Sequence, residues 1–373
     1  SAVSTAERYI NYYPNTADAD NIRLQMARLL FSMDRGEQAL KIYNLIFNEK
    51  STEMAIKLTA SKEASFILME QRKLPEAKVR LEYIYKNADK NNLKEEAKYY
   101  LAKILYLQQD DVNAYKEFIS LANQSKEWRM KSLSQAMYAA ERLGENKALN
   151  TVTDHLLKEF PNSEAGVEAK YFHAQAAQGA GDNKSALEEY VAFTKNHSNH
   201  PFMERVLFAL AKLSFNDGRY ADSSRYSSEL ITKYPDGELT ANAYYKRIFS
   251  LSFLDKFEDA AKDVDSLSAK YKESKYALAA LYWLADHYTS LEDYVNADHT
   301  LIKIIDLYSD SDEIVAQAMY DRADAAFKSK NETKSEQLVD ELIAKYPKSE
   351  TYYSALFLKG GIVSERGKYS EAM

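Results

Sequence analysis

A fixed period constrains this chain more than any other feature. The ten residues ELITKYPDGE at 229–238 return as ELIAKYPKSE at 341–350. The ring residue before each proline belongs to a longer series, Phe160, His197, Tyr234, Tyr271, Tyr308 and Tyr346, with spacings of 37, 37, 37, 37 and 38. Self-similarity at a constant interval marks a chain built from one supersecondary unit stacked on copies of itself, because a single unit cannot bury its apolar face alone. The fold class therefore depends on what one unit is.

About ten residues before each ring residue a small side chain recurs, at Ala2, Ala39, Ala77, Ala114, Ala186, Ser223, Ala260, Ala297, Ser335 and Ala372. A second small series, Ala27, Ser65, Ala102, Ala174, Ala211, Ile248, Ala285, Ala323 and Gly360, runs twelve residues ahead of it. Two small positions per unit imply two helices in close contact. Residues 239–254 carry a helical period, Asp255-Lys256 breaks it, and Phe257, Ala260, Ala261, Val264 and Leu267 resume spacings of three and four. Each unit thus reads as helix, tight turn, helix and a short loop, and proline suits that loop because it cannot continue a helix interior. Ten glycines and six prolines in 373 residues are too few for a protein of strands and hairpins. The expectation is an all-α chain, residues 1–373 forming one solenoid of about ten helix hairpins. Its irregular unit lies at about 130–160, where Ala148 is one place out of step and Leu149 holds the small slot. Ala2 and Met373 are expected to lie within repeats, cut at both ends.

These residues resemble the tetratricopeptide repeat family over essentially the whole chain. The pattern is seen at Ala211, Gly218-Arg219-Tyr220, Ser223 and Pro235, and again at Gly360, Gly367-Lys368-Tyr369 and Ala372. The resemblance implies a right-handed superhelical solenoid of antiparallel helix hairpins whose first helices line a concave surface. It implies a non-enzymatic protein-interaction scaffold with no cofactor. The period is about three residues longer than the usual 34, and with the Tyr-Pro-x-(Ser/Gly) loop it is similar to repeats of bacterial envelope proteins of the outer-membrane assembly and Tol-Pal-associated type. That likeness implies a periplasmic or outer-membrane-associated location.

If first helices line a groove, an aromatic ladder lines it with them. Three residues before the small slot stand Tyr99, Tyr171, Phe208, Tyr245, Tyr282, Tyr320 and Phe357. One turn on, the same helical face carries Lys103, Lys212, Phe249, Asp286 and Asp324. Tyrosine offers a large contact area at small entropic cost together with a hydroxyl, so the ladder suits an extended peptide or a partner helix. Arg28 and Lys103 toward the amino end, against Asp286 and Asp324 toward the carboxyl end, suggest a charge gradient that orients the ligand. The competing reading is that these rings only fill space between neighbouring helices.

Other function classes find little support. The 49 basic and 56 acidic residues give a net charge of −7, against a dedicated nucleic-acid binder. No cysteine is present, and no apolar run is long enough to insert directly into a membrane. Gly-rich phosphate loops, His-Glu-x-x-His and Gly-x-Ser-x-Gly are missing. His197 and His200 are the best metal candidate, but two ligands need further donors. A structural spacer or oligomerising arm, and the recruiting module of a larger enzyme, remain alternatives to the scaffold.

Overall fold

A computed structural model describes residues 2–14 and 16–365. Among these residues there are twenty helices and no strand. Two compact units are present, Ser1–Glu189 and Tyr190–Met373. The first contains α1 (Ala2–Tyr12), α2 (Ala17–Ser32), α3 (Gly36–Asn48), α4 (Met54–Glu70), α5 (Leu74–Asn87), α6 (Asn91–Leu107), α7 (Asp111–Gln124), α8 (Arg129–Leu143), α9 (Asn146–Glu159) and α10 (Glu164–Gly179). Helix α11 (Asn183–Asn196) crosses the division. The second unit continues with α12 (Met203–Asn216), α13 (Tyr220–Lys233), α14 (Thr240–Ser252), α15 (Phe257–Lys270), α16 (Lys275–Ser290), α17 (Tyr294–Leu307), α18 (Asp312–Lys328), α19 (Glu332–Lys345) and α20 (Tyr352–Glu365). Even-numbered helices up to α18 open a hairpin and odd-numbered ones close it. The repeat positions Gly367, Lys368, Tyr369, Ala372 and Met373 lie outside the described residues.

Among the described residues one backbone device makes every tight turn within a hairpin. Asp34, Arg72, Gln109, Gly144, Gly181, Gly218, Asp255, Glu292 and Lys330 all have φ between +57° and +89°. The amide of the next residue reaches back five places to a carbonyl of the first helix, as in Lys73 N to Leu68 O at 2.8 Å and Asp293 N to Tyr288 O at 2.9 Å. This is the left-handed helix stop that satisfies terminal carbonyls and reverses the chain. Where the following residue is Asp110, Asp182, Asp293 or Asn331, its side chain also accepts an amide of the second helix.

The ring series marks the other joint. Phe160, Tyr234, Tyr271, Tyr308 and Tyr346 each terminate a second helix, with φ between −119° and −136°. The carbonyl of each accepts the amide three residues on, at Ser163, Gly237, Ser274, Ser311 and Ser349. Tyr271 then donates its hydroxyl to the Pro235 carbonyl at 2.5 Å, and Tyr308 donates to the Lys272 carbonyl at 2.8 Å. Lys270 donates to the same Pro235 carbonyl at 2.7 Å. The joints at Tyr271 and Tyr308 are thus each tied to the joint one period back.

The small slots sit where two helices meet. Ala27, Ala174, Ala211 and Ala323 on first helices, and Ala39, Ala77, Ala186 and Ala260 on second helices, have no exposed surface. Where the slot is serine its hydroxyl is satisfied: Ser335 donates to the Ala323 carbonyl and Ser250 donates to Ser223, both at 2.8 Å. The unit at 130–160 is an ordinary hairpin, α8 with α9. Counting back seven from its turn glycine Gly144, as in every other repeat, puts Met137 in the first slot, and Leu149 fills the second, both buried. The neighbouring Ala136, Ala139 and Ala140 are fully buried and leave room for those larger side chains.

Candidate functional site

In the second unit first helices lie beside one another, α12 against α14, α14 against α16 and α18 against α20. Their shared face is the candidate site. Tyr245 packs on Phe249 with ring centroids 4.7 Å apart and on Tyr276 at 5.0 Å, and Phe249 meets Trp283 at 5.4 Å. His287 continues the platform, stacked between Trp283 and Phe257 at 5.7 and 4.1 Å. Tyr282 donates its hydroxyl to the Ile314 carbonyl at the start of α18, 3.2 Å away. Phe208, Tyr245, Phe249, Tyr282 and Tyr320 are all partly exposed, and Lys212 and Asp286 are exposed. The rings therefore pack against their neighbours and still present part of their surface.

Charge on this face is segregated. Among the described residues no carboxylate pairs with Lys212 or Lys246. The Lys246 ammonium lies 4.1 Å from the Phe215 ring centre. Burial, and then the Lys212 charge, lower the Lys246 pKa. Two helices on, Asp286, Asp321 and Asp324 cluster. Asp324 holds Lys328 at 2.6 Å, and Asp321 accepts the Gln317 side-chain amide at 2.8 Å. Burial, reinforced by Asp286 and Asp324, pushes the Asp321 carboxyl up to about 6. Burial raises Asp286 as well.

The first unit treats the corresponding positions differently. Tyr99 is buried between Phe118 and Trp128 at 5.6 and 4.9 Å, and Tyr171 is buried against Phe172 at 5.0 Å. Both are packing residues. Arg28 brings no free positive charge, since Glu63 holds its guanidinium at 2.9 and 3.1 Å and also accepts from Tyr43 at 2.8 Å. Lys62 pairs with Glu96 at 2.6 Å. Lys103 is partly buried. Neighbouring first helices in this unit are therefore joined by ion pairs, and the expected gradient does not begin at Arg28. At the far end of the second unit Phe357 is 86% exposed, with Tyr353 79% exposed nearby on α20.

Three groups that shape the face escaped the sequence reading: Lys246, Trp283 and Asp321. All stand two residues before the small slot, one column from the ladder, and reading that column would have found them. His197 and His200 both pack on Phe193, at 5.1 and 5.4 Å, and His200 Nδ1 accepts the Phe202 amide at 3.1 Å. Among the described residues no group of three ligating side chains is placed to hold a metal, and no helix is long and apolar enough to cross a membrane.

Residues 171–238 match the tetratricopeptide repeat family, and no curated protein matches the chain. The C-terminal part of a TPR repeat-containing protein from Cytophaga hutchinsonii is similar in structure. Its TM-score is 0.55 at 11% identity, with 69% of this chain and 99% of that one covered. A tetratricopeptide repeat protein from Parabacteroides merdae aligns at a TM-score of 0.48 and 14% identity, covering 81% of this chain and 98% of that one. The chain has the fold of a TPR-like helical solenoid, and over residues 171–238 it is also similar in sequence to the tetratricopeptide repeat family.

Proposed function

We propose that this protein is a non-enzymatic interaction scaffold that holds a segment of a partner protein on the first-helix face of its second unit. One observation carries the reading: that face keeps half-exposed rings and unneutralised charges side by side, whereas the first unit covers the same columns with buried rings and ion pairs. Partly exposed aromatic side chains beside unpaired charge are the surface from which binding hot spots are made. The loop sequence supports a bacterial cell-envelope setting for this scaffold, which fractionation of the native cells tests directly.

The deciding experiment places a photo-cross-linking amino acid at Phe249 or Asp286, and at Glu229 on the second helix α13 as control, in native cells. Expected is one partner, identified by mass spectrometry, captured from Phe249 and Asp286 and not from Glu229. Capture from Glu229 alone, or from none of the three, sinks the reading.

A further inference from the structure

The two charged poles lie on one surface, and their order selects a particular ligand. We infer that the first-helix face of the second unit takes an extended segment of a partner protein that carries a carboxylate side chain over Lys212 and Lys246 and a cationic side chain over Asp286 and Asp324. This rests on that face being the binding surface. Lys212 and Lys246 repel one another with no carboxylate between them, and Asp286, Asp321 and Asp324 face a single ammonium, Lys328, already held by Asp324. Like charges brought together cost free energy in the empty protein, and a ligand with opposite charges at the two ends relieves both clusters at once. The fold does not require this segregation, since the first unit alternates signs between neighbouring helices at Arg28–Glu63 and Lys62–Glu96.

Geometry fixes the spacing. The basic pole lies on α12 and α14 and the acidic pole on α16 and α18, two helix steps apart, or about 18 Å at the usual interaxial distance. An extended chain covers that in about six residues. Between the poles Phe249, Tyr245 and Trp283 form the floor for the intervening side chains. A segment with the two charges in reverse order docks in the opposite chain direction, so charge order sets orientation.

The test uses terminally blocked ten-residue peptides of one Ser/Tyr background, read by fluorescence anisotropy on the full chain. One carries Glu and Lys six positions apart, one has them adjacent, one carries two Glu and one two Lys. The spaced Glu/Lys peptide is expected to bind about tenfold tighter than the other three, the gain from two surface ion pairs. Lys212→Glu with Lys246→Glu is expected to move the preference to the two-Lys peptide, and Asp286→Lys with Asp324→Lys to the two-Glu peptide. Lys212→Glu alone, at an exposed position, keeps the test intact if a double variant misfolds by circular dichroism. Equal affinities, unmoved preferences or no binding by any peptide overturns the charge order. The cross-link pattern from Phe249 and Asp286 then decides separately whether the face binds a partner.

Discussion

Nine consecutive hairpins turn on a left-handed residue, and only three of them use glycine there. Gly218 at φ +73° is the cleanest place to measure that choice, because a Cβ built on it meets nothing within 4 Å. Gly218→Ala therefore changes the backbone and no contact. Left-handed geometry costs an L-residue about 1–2 kcal/mol, while alanine returns about 0.4–1 kcal/mol by narrowing the unfolded ensemble. The net expectation is a loss of about 1 kcal/mol. Glu292, exposed at φ +58°, reverses the sum: Glu292→Gly is expected to stabilise by about 0.5–1 kcal/mol. Urea unfolding followed by circular dichroism reads both as midpoint shifts at unchanged slope. Because repeat arrays unfold by neighbouring units, amide exchange at α12–α13 and α16–α17 supplies the local value. A neutral Gly218→Ala together with a destabilising Glu292→Gly would refute the turn assignment.

Tyr271→Phe removes the hydroxyl bond to Pro235 and keeps the ring, so it is expected to cost about 0.5–1.5 kcal/mol in urea unfolding; an unchanged midpoint would show that the bond contributes nothing. Ala211→Leu and Ala285→Leu overfill contacts with at most 2% exposure and are expected to cost about 1–3 kcal/mol each; no change at both would contradict the helix register. Asp321, raised to about 6 chiefly by burial, binds its proton more tightly folded than unfolded. The stability it contributes is therefore present in acid and lost as pH rises from about 4 through about 6. A carboxyl carbon titration by NMR should find its midpoint near 6, and Asp321→Asn should flatten this part of the pH–stability profile; a midpoint near 4 would remove the acidic cluster as described.

The repeat was readable because its joints use chemically unusual residues at a constant interval: a ring residue that leaves the helix, and a small residue where helices touch. Reading was incomplete at the first slot of the unit at 130–160, where Met137 stands, since a periodicity search for small residues cannot see that alanines one helical step away have made room. The ladder was a weaker guide. Tyr99 and Tyr245 hold equivalent columns, yet the first is enclosed by Phe118 and Trp128 and the second is half open, a difference made by neighbours about 20–30 residues distant. Likewise the charge of Arg28 is cancelled by Glu63, 35 residues away, which spacing along one helix does not reveal. The acidic pole was half visible, through Asp286 and Asp324, while Asp321 required the packing.

From each first-helix small slot, Ala27 through Ala323, to its turn residue is seven positions, and from there to the second slot is five. Every change in period falls elsewhere, in the joint between hairpins. The interval of 35 between Gln109 and Gly144 and that of 38 between Glu292 and Lys330 are both absorbed there. A hairpin is thus an indivisible cassette and the ring-residue loop its splice point. Excising residues 235–271, one period long, joins Tyr234 to Lys272 and leaves a shorter array with the same loop backbone. Such a chain can be lengthened or shortened by whole cassettes, changing its reach without redesigning any helix contact.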